Sequence, residues 1–146
     1  MLASPAGAPL TAEEIAELRA RFALRTPADA RRFLRELIHA PPWYARAIEA
    51  TLSDQLNRPL VQDFLASLST VDGFTAERLA HLAPPTSVLW GKSERVDMAR
   101  SGLRFFQSAL PAETRFEELD NVGHSPHFEC PALLANRLCA ACAARK

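Results

Sequence analysis

The sequence has no net charge, little cysteine and no long hydrophobic run. Its 146 residues carry 17 basic and 17 acidic side chains, so no excess of positive charge predicts binding to nucleic acid. No apolar run reaches the roughly 18 residues that a membrane span needs. Hydrophobic residues make up 48% of the chain and charged residues 23%, which is ordinary for a globular protein. We therefore expect a folded protein with neither a nucleic-acid partner nor a membrane span.

Cysteine is scarce and odd in number. The three cysteines are Cys130, Cys139 and Cys142, so they do not suggest a disulfide framework. Cys139-x-x-Cys142 has the spacing of a redox or metal motif, but neither a second cysteine pair nor a His-x-x-x-His follows it. We expect small packing residues on a helix there, with no metal bound. Residues 1–7 lack the pattern of a signal peptide, and we expect a cytoplasmic protein.

The first 82 residues carry helix signals only. Residues 1–10 have no periodicity and are predicted to form a loop. Thr11 has capping-box spacing to Glu14, where a hydroxyl and a carboxylate satisfy the free amides of a first turn. Pro27 follows Thr26 at the position where a proline suits a helix start. The sequence predicts five helices between residues 11 and 82.

The pattern changes after Pro84-Pro85. Residues 86–90 form a compact β-rich run of the kind found in a buried parallel strand. Residues 96–109 are predicted to be helical, 114–119 to form a second strand, and 131 onward to form the last helix. Residues 83–146 therefore have a βαβα order, which predicts an α/β fold with two parallel strands.

An acid and a histidine follow these two strands. Glu94 lies three residues after Gly91, and His124 comes directly after Gly123. Functional residues of parallel α/β sheets gather on loops at the carboxyl ends of the strands. A carboxylate beside an imidazole fixes its tautomer and stabilises the imidazolium formed during acyl transfer. Each residue alone is more often an ordinary surface residue, but the two together predict a catalytic pair.

These loops resemble those of the α/β-hydrolase superfamily. In that family a strand ends in Trp-Gly with the triad acid three residues later, as in Leu89-Trp90-Gly91-Lys92-Ser93-Glu94. Val122-Gly123-His124-Ser125-Pro126, followed by Glu129-x-Pro131, is similar to the family's histidine loop and the start of its last helix. The resemblance implies that residues 83–146 are the C-terminal part of the hydrolase core.

The helical part resembles the cap, or lid, that these enzymes insert before that strand. Arg25-Thr26-Pro27-Ala28-Asp29 and Pro41-Pro42-Trp43 are similar to caps of the lipase/esterase and meta-cleavage-product hydrolase branch. Residues 2–7 resemble the segment that leaves a core strand before the cap. The implied organisation is a loop leaving a core strand at 1–10, a cap at 11–82 and core at 83–146.

The sequence departs from the family in its acid and its nucleophile. The acid is usually aspartate, whereas Glu94 stands here, with Asp97 as the alternative acid. The family serine lies in Gly-x-Ser-x-Gly on a strand-to-helix turn. The glycines here are Gly7, Gly73, Gly91, Gly102 and Gly123, and no two are four residues apart. Ser125 lacks that turn and is not a substitute for the nucleophile.

The resemblance implies a partial serine hydrolase acting on a small ester with an apolar acyl group. His124 would be the base and Glu94 the acid, no cofactor is implied, and the chain alone is expected to be inactive. A partner chain or a missing N-terminal hydrolase half would have to complete the site. The strand at 86–90 is expected to lack a neighbour on one side, so self-association of the chain alone is also expected. The alternatives are a non-catalytic remnant, an interaction module built from the cap, and a helical binding protein. Core packing explains most apolar residues of the cap, but some are candidates for the substrate pocket. The candidates are Phe33, Trp43, Tyr44 and Phe64.

Overall fold

The computed structural model describes residues 1–96 and 99–143. Helices dominate the first part of the chain, and strands alternate with helices in the second. In chain order the elements are β1 (Leu2–Ala3), α1 (Ala12–Phe22), α2 (Pro27–Leu37), α3 (Ala45–Leu56), α4 (Pro59–Ser67), α5 (Ala76–Ala80), β2 (Ser87–Gly91), α6 (Ala99–Ala109), β3 (Arg115–Leu119), α7 (Pro126–Glu129) and α8 (Pro131–Ala143). The predicted α/β class, with a helical part followed by βαβα, is confirmed.

The strands of the described residues form one parallel sheet in the order β1-β2-β3. Ser87 to Gly91 pair in register with Arg115 to Leu119, which confirms the predicted parallel pair. The expectation that residues 1–10 are entirely loop was wrong at Leu2 and Ala3, which pair with Val88 and Leu89. Two residues are too few for a periodic signal, and their partner strand lies more than 80 residues along the chain.

The helix starts follow from local capping. The Thr11 side chain accepts a hydrogen bond from the Glu14 N–H, and the Glu14 carboxylate accepts one from the Thr11 N–H. Thr26 and Asp29 repeat this arrangement at α2, where Pro27 takes the first helical position. Each box satisfies amides that a helix start otherwise leaves free, so the two predicted starts are confirmed.

The sheet is covered by apolar side chains on both faces. On one face Val88 and Trp90 pack with Phe106 and Leu110 of the α6 side. On the other face Leu89, Leu119 and Val122 pack together and are covered by partly buried residues of α8, among them Leu133 and Leu134. Successive side chains of β2 therefore point into two different cores. The end of β2 is held between these two packed layers.

The helical part has a separate small core. Leu24, Ala30 and Phe33 are buried together, and partly buried side chains of α1, α2 and α3 pack against them. This core fixes the segment after α2, which contacts the loop after β3. No helix within residues 1–96 and 99–143 has the length and apolar character required to cross a membrane.

Candidate active site

Glu94 and His124 face one another beyond the carboxyl ends of β2 and β3. The His124 Nδ1 lies 2.6 Å from Glu94 Oε2, a distance typical of a strong, charge-assisted hydrogen bond. Glu94 follows β2 by three residues, and His124 follows β3 by five. The structure thus brings together the two residues that the spacing singled out. Their catalytic role stays a prediction.

Gly91 allows the two loops to meet. A Cβ on Gly91 would overlap the backbone of Val122 and Gly123, so the end of β2 passes directly against the histidine loop. Ser93 N–H also donates to the Val122 carbonyl at 2.9 Å. A larger residue at Gly91 would push the loops apart, since backbone atoms cannot move aside as a side chain can. The close approach at Gly91 therefore sets the distance between Glu94 and His124.

The Glu94 carboxylate is buried and held at both oxygens. Its side chain is 1% exposed, Oε1 accepts from the Val96 N–H at 2.8 Å, and Oε2 faces His124. Burying a carboxylate is costly unless hydrogen bonds replace its water shell, and these bonds do so. Asp97, the alternative acid, lies outside the described residues.

The pairing determines which nitrogen of His124 can act as a base. An ionised carboxylate only accepts hydrogen bonds, so Nδ1 carries the proton that Glu94 Oε2 binds. In the neutral imidazole Nε2 is then left without a proton and can accept one. The His124 side chain is 27% exposed, which is enough for a reactant to reach it. The arrangement can perform general acid–base chemistry.

The helical part holds both loops. The His124 N–H donates to the Leu37 carbonyl at 2.9 Å. The Glu129 carboxylate accepts from the N–H groups of Gly123 and His39, each at 2.7 Å. The contacts of His124 with Leu37 and of Glu129 with His39 were not predicted from the sequence, because the residues of each pair are about 90 positions apart. The one available signal was the position of Glu129 in the histidine-loop motif.

The acid loop is held from α1. Arg21 Nη1 donates to the carbonyl oxygens of Arg95 at 2.6 Å and Val96 at 3.2 Å. Those residues directly follow Glu94. Arg21 thus fixes the backbone whose N–H binds the Glu94 carboxylate, and this role too was missed from the sequence.

The four candidate pocket residues lie in different environments. Phe33 is buried in the small helical core, whereas Trp43 is 93% exposed and Phe64 is 60% exposed. Tyr44 lines a cavity of about 190 Å³ with Ile38, Phe128 and Glu129 among its other lining residues. His124 does not line this cavity. The structure therefore does not join these four side chains in one pocket beside the imidazole.

Two serines near the strand ends are buried. Ser125 is buried and directly precedes α7. Ser4 directly follows β1, has a backbone φ of 41°, and is 6% exposed. Its Oγ is buried and has no hydrogen-bond partner in the described structure. No group of three or more His, Cys, Asp or Glu side chains within the same described ranges could hold a metal ion.

Comparison with known proteins identifies relatives of this chain. No family model matches the chain. It is 33% identical over 129 residues to the epoxide hydrolase EphH of Mycobacterium tuberculosis, a match covering 86% of this chain and 58% of EphH. Its fold matches 2-hydroxy-6-oxo-6-phenylhexa-2,4-dienoate hydrolase (BphD) of Rhodococcus sp. strain RHA1 over 96% of this chain, with a TM-score of 0.75 and 20% identity. The chain belongs to the α/β-hydrolase superfamily.

The chain spans about half the length of the relatives it matches. It covers 53% of BphD and 48% of the carboxylesterase CesB of Bacillus subtilis. The CesB match covers 94% of this chain, with a TM-score of 0.66 and 17% identity. Those two structures establish the fold alone, at such low identity.

Proposed function

We propose that this chain supplies the acid and the base of a serine-hydrolase triad to a nucleophile that its own sequence lacks. The observation that carries the proposal is the 2.6 Å contact between His124 Nδ1 and the buried Glu94 carboxylate. It makes Nε2 the nitrogen that can accept a proton and gives the imidazolium a fixed counter-charge. A surface histidine with no mechanistic role would not need a buried carboxylate partner.

The proposed reaction is ester hydrolysis in two halves. His124 Nε2 takes the proton of the serine hydroxyl as its oxygen attacks the ester carbonyl, and then gives that proton to the leaving alkoxide. An acyl-serine remains. His124 next takes a proton from water as the water oxygen attacks the acyl carbon, and the proton returns to the serine oxygen. Glu94 stabilises the imidazolium formed in each half.

We propose a small ester with an apolar acyl part as substrate. Support comes from the exposed apolar residues of the cap, such as Trp43 and Phe64, and from the carboxylesterase among the structural relatives. A second reaction class, hydrolytic opening of an epoxide, is favoured by the 33% identity to EphH. An acid–histidine pair can activate water in either reaction, so the substrate must be decided by assay.

The chain alone is proposed to be inactive. Gly-x-Ser-x-Gly is absent from the 146 residues, and with it the amides that would stabilise an oxyanion. A second hydrolase segment bearing that turn would complete the site. The matched relatives, of which this chain spans 48% to 58%, favour a separate segment. Three free cysteines suit the reducing cytoplasm, which we propose as its compartment.

The alternative is a non-catalytic remnant or an interaction module that uses the cap. The missing nucleophile favours it, as does Trp43, which at 93% exposure contributes little to the fold. In that case Glu94 and His124 would be retained for loop structure alone. The two proposals differ in whether His124 affects turnover once a nucleophile is supplied.

The test is a chimera in which the part of EphH outside the match is joined in front of residue 1. Turnover of p-nitrophenyl butyrate and of styrene oxide would be measured for the chimera and two variants. We expect His124→Ala to abolish turnover. His127 is an exposed histidine in α7, and we expect His127→Ala to preserve turnover. Equal turnover in all three would refute the role of His124. A folded chimera without turnover on either substrate would favour the remnant.

A further inference from the structure

Glu129 joins the cap to the histidine loop. Its Oε1 accepts from the Gly123 N–H and its Oε2 from the His39 N–H, both at 2.7 Å. His39 lies two residues after the end of α2, and Gly123 directly precedes His124. We propose that Glu129 is a positioning residue that couples the cap segment after α2 to the orientation of His124. This inference rests on the proposed catalytic role of His124.

The cap segment and the histidine loop pack closely at Gly123, beside Glu129. A Cβ on Gly123 would lie 2.8 Å from the Leu37 carbonyl oxygen and 3.0 Å from the His39 nitrogen. The His124 N–H bonds directly to the same Leu37 carbonyl. The cap segment and the histidine loop are therefore in backbone contact. Glu129 connects the two segments through its hydrogen bonds to His39 and Gly123.

A carboxylate is required at this position. Each of its oxygens accepts one backbone N–H, and charge-assisted bonds of this kind are roughly twice as strong as neutral ones. Glutamine has the same shape but a single acceptor oxygen. Its NH₂ group would face either Gly123 N–H or His39 N–H, donor against donor. One side of the connection would then be lost while the volume is unchanged.

The coupling follows from the short path between the groups. A displacement of His39 with the cap moves the Glu129 carboxylate, and the carboxylate holds the amide that precedes His124. The imidazole in turn keeps its 2.6 Å contact with Glu94 only if the loop backbone stays in place. The cap can thereby set the geometry of the proposed base without touching its ring.

The test compares Glu129→Gln with Glu113→Gln, an exposed control before the amino end of β3. Amide hydrogen exchange would be followed at Gly123 and His39, together with the NMR proton resonance of His124 Nδ1–H. We expect both amides to be protected in the wild type. In Glu129→Gln we expect exchange about ten-fold faster at one or both, and a shifted or broadened Nδ1–H resonance. Glu113→Gln should change neither.

Two results would overturn the proposal. One is exchange of either amide in the wild type at the rate of an unprotected chain, which can be measured even if Glu129→Gln does not fold. The other is a Glu129→Gln protein whose His124 resonance matches the wild type, since a purely structural role would alter stability without reaching the imidazole. Neither measurement needs a substrate. A failure of this proposal can therefore be distinguished from a failure of the proposed hydrolase function.

Discussion

Replacing Glu94 by glutamine should reverse the tautomer of His124 while leaving the fold nearly intact. In the wild type the carboxylate accepts from both Val96 N–H and His124 Nδ1. Glutamine can keep the first bond with its carbonyl oxygen and offer its NH₂ group to Nδ1. The imidazole must then accept at Nδ1, which moves its proton to Nε2. The nitrogen proposed as the base would already be protonated.

The expected stabilities separate this variant from Glu94→Ala. Alanine leaves the Val96 N–H without an acceptor at a residue that is 5% exposed, at a cost of about 1–3 kcal/mol. The His124 Nδ1–H loses its partner as well, but the 27% exposed side chain can recover part of that from water. Adding the cavity left by the side chain, we expect Glu94→Ala to lower the free energy of unfolding by about 2–5 kcal/mol. Glu94→Gln should lower it by less than about 1 kcal/mol.

Two measurements check the prediction. Urea unfolding followed by tryptophan fluorescence reports on Trp90, which is 3% exposed, against a nearly constant signal from Trp43, which is 93% exposed. Nitrogen NMR shifts of ¹⁵N-histidine-labelled protein at neutral pH identify the protonated ring nitrogen. Protonation at Nδ1 in the wild type and at Nε2 in Glu94→Gln is expected. The same tautomer in both proteins, or a Glu94→Ala as stable as the wild type, would refute the pairing.

Three further predictions concern the rest of the chain. Ser4→Gly should raise the free energy of unfolding by about 1 kcal/mol, because it removes a buried hydroxyl without a partner and relieves a φ of 41°; a destabilised variant would show that the hydroxyl has a use. Burial, and secondarily the charge of Glu129, raises the pKa of the Cys130 thiol, so at pH 8 iodoacetamide should modify it more slowly than the exposed Cys139 and Cys142, and mass spectrometry showing equal rates would contradict this. The outer edge of β1 pairs with no other strand in the described ranges, so sedimentation should show self-association at micromolar concentration; a monomer with a sharp cooperative melt would argue against it.

The structure places the unpaired sheet edge on a different strand from the one that the sequence predicted. The lack of any strand signal before residue 84 implied that the strand at 86–90 would lose its neighbour. In the structure β1 pairs with that side of β2, so the open edge belongs to β1 instead. A two-residue strand is fixed by pairing with distant residues and not by its own pattern, which is why the sequence could not reveal it.

Local signals account for what the sequence did predict. The capping boxes at Thr11 and Thr26 each involve residues three apart, so they can be read directly from the chain. The positions of Glu94 and His124 follow from counting past Gly91 and Gly123, because a parallel sheet places both loops at the same end. The 2.6 Å contact between His124 Nδ1 and Glu94 Oε2 is possible because both loops leave the carboxyl end of the sheet.

The features that the sequence did not predict depend on contacts between distant segments of the chain. Arg21 reaches carbonyl groups more than 70 residues away, and Glu129 reaches His39 across 90. Their partners are backbone groups, which have no residue identity to recognise in a sequence. The pocket candidates show the same limit: an apolar stripe marks a face, but only packing separates buried Phe33 from exposed Trp43.

The most direct test of the proposed function uses a fluorophosphonate probe, which labels serines activated by a neighbouring base. The chain would be treated alone and after joining to the part of BphD outside the structural match. We predict no labelling of the chain alone. In the chimera we predict labelling of one serine outside this chain's residues, and its loss in His124→Ala. Labelling of a serine within this chain, or chimera labelling that does not depend on His124, would contradict the account.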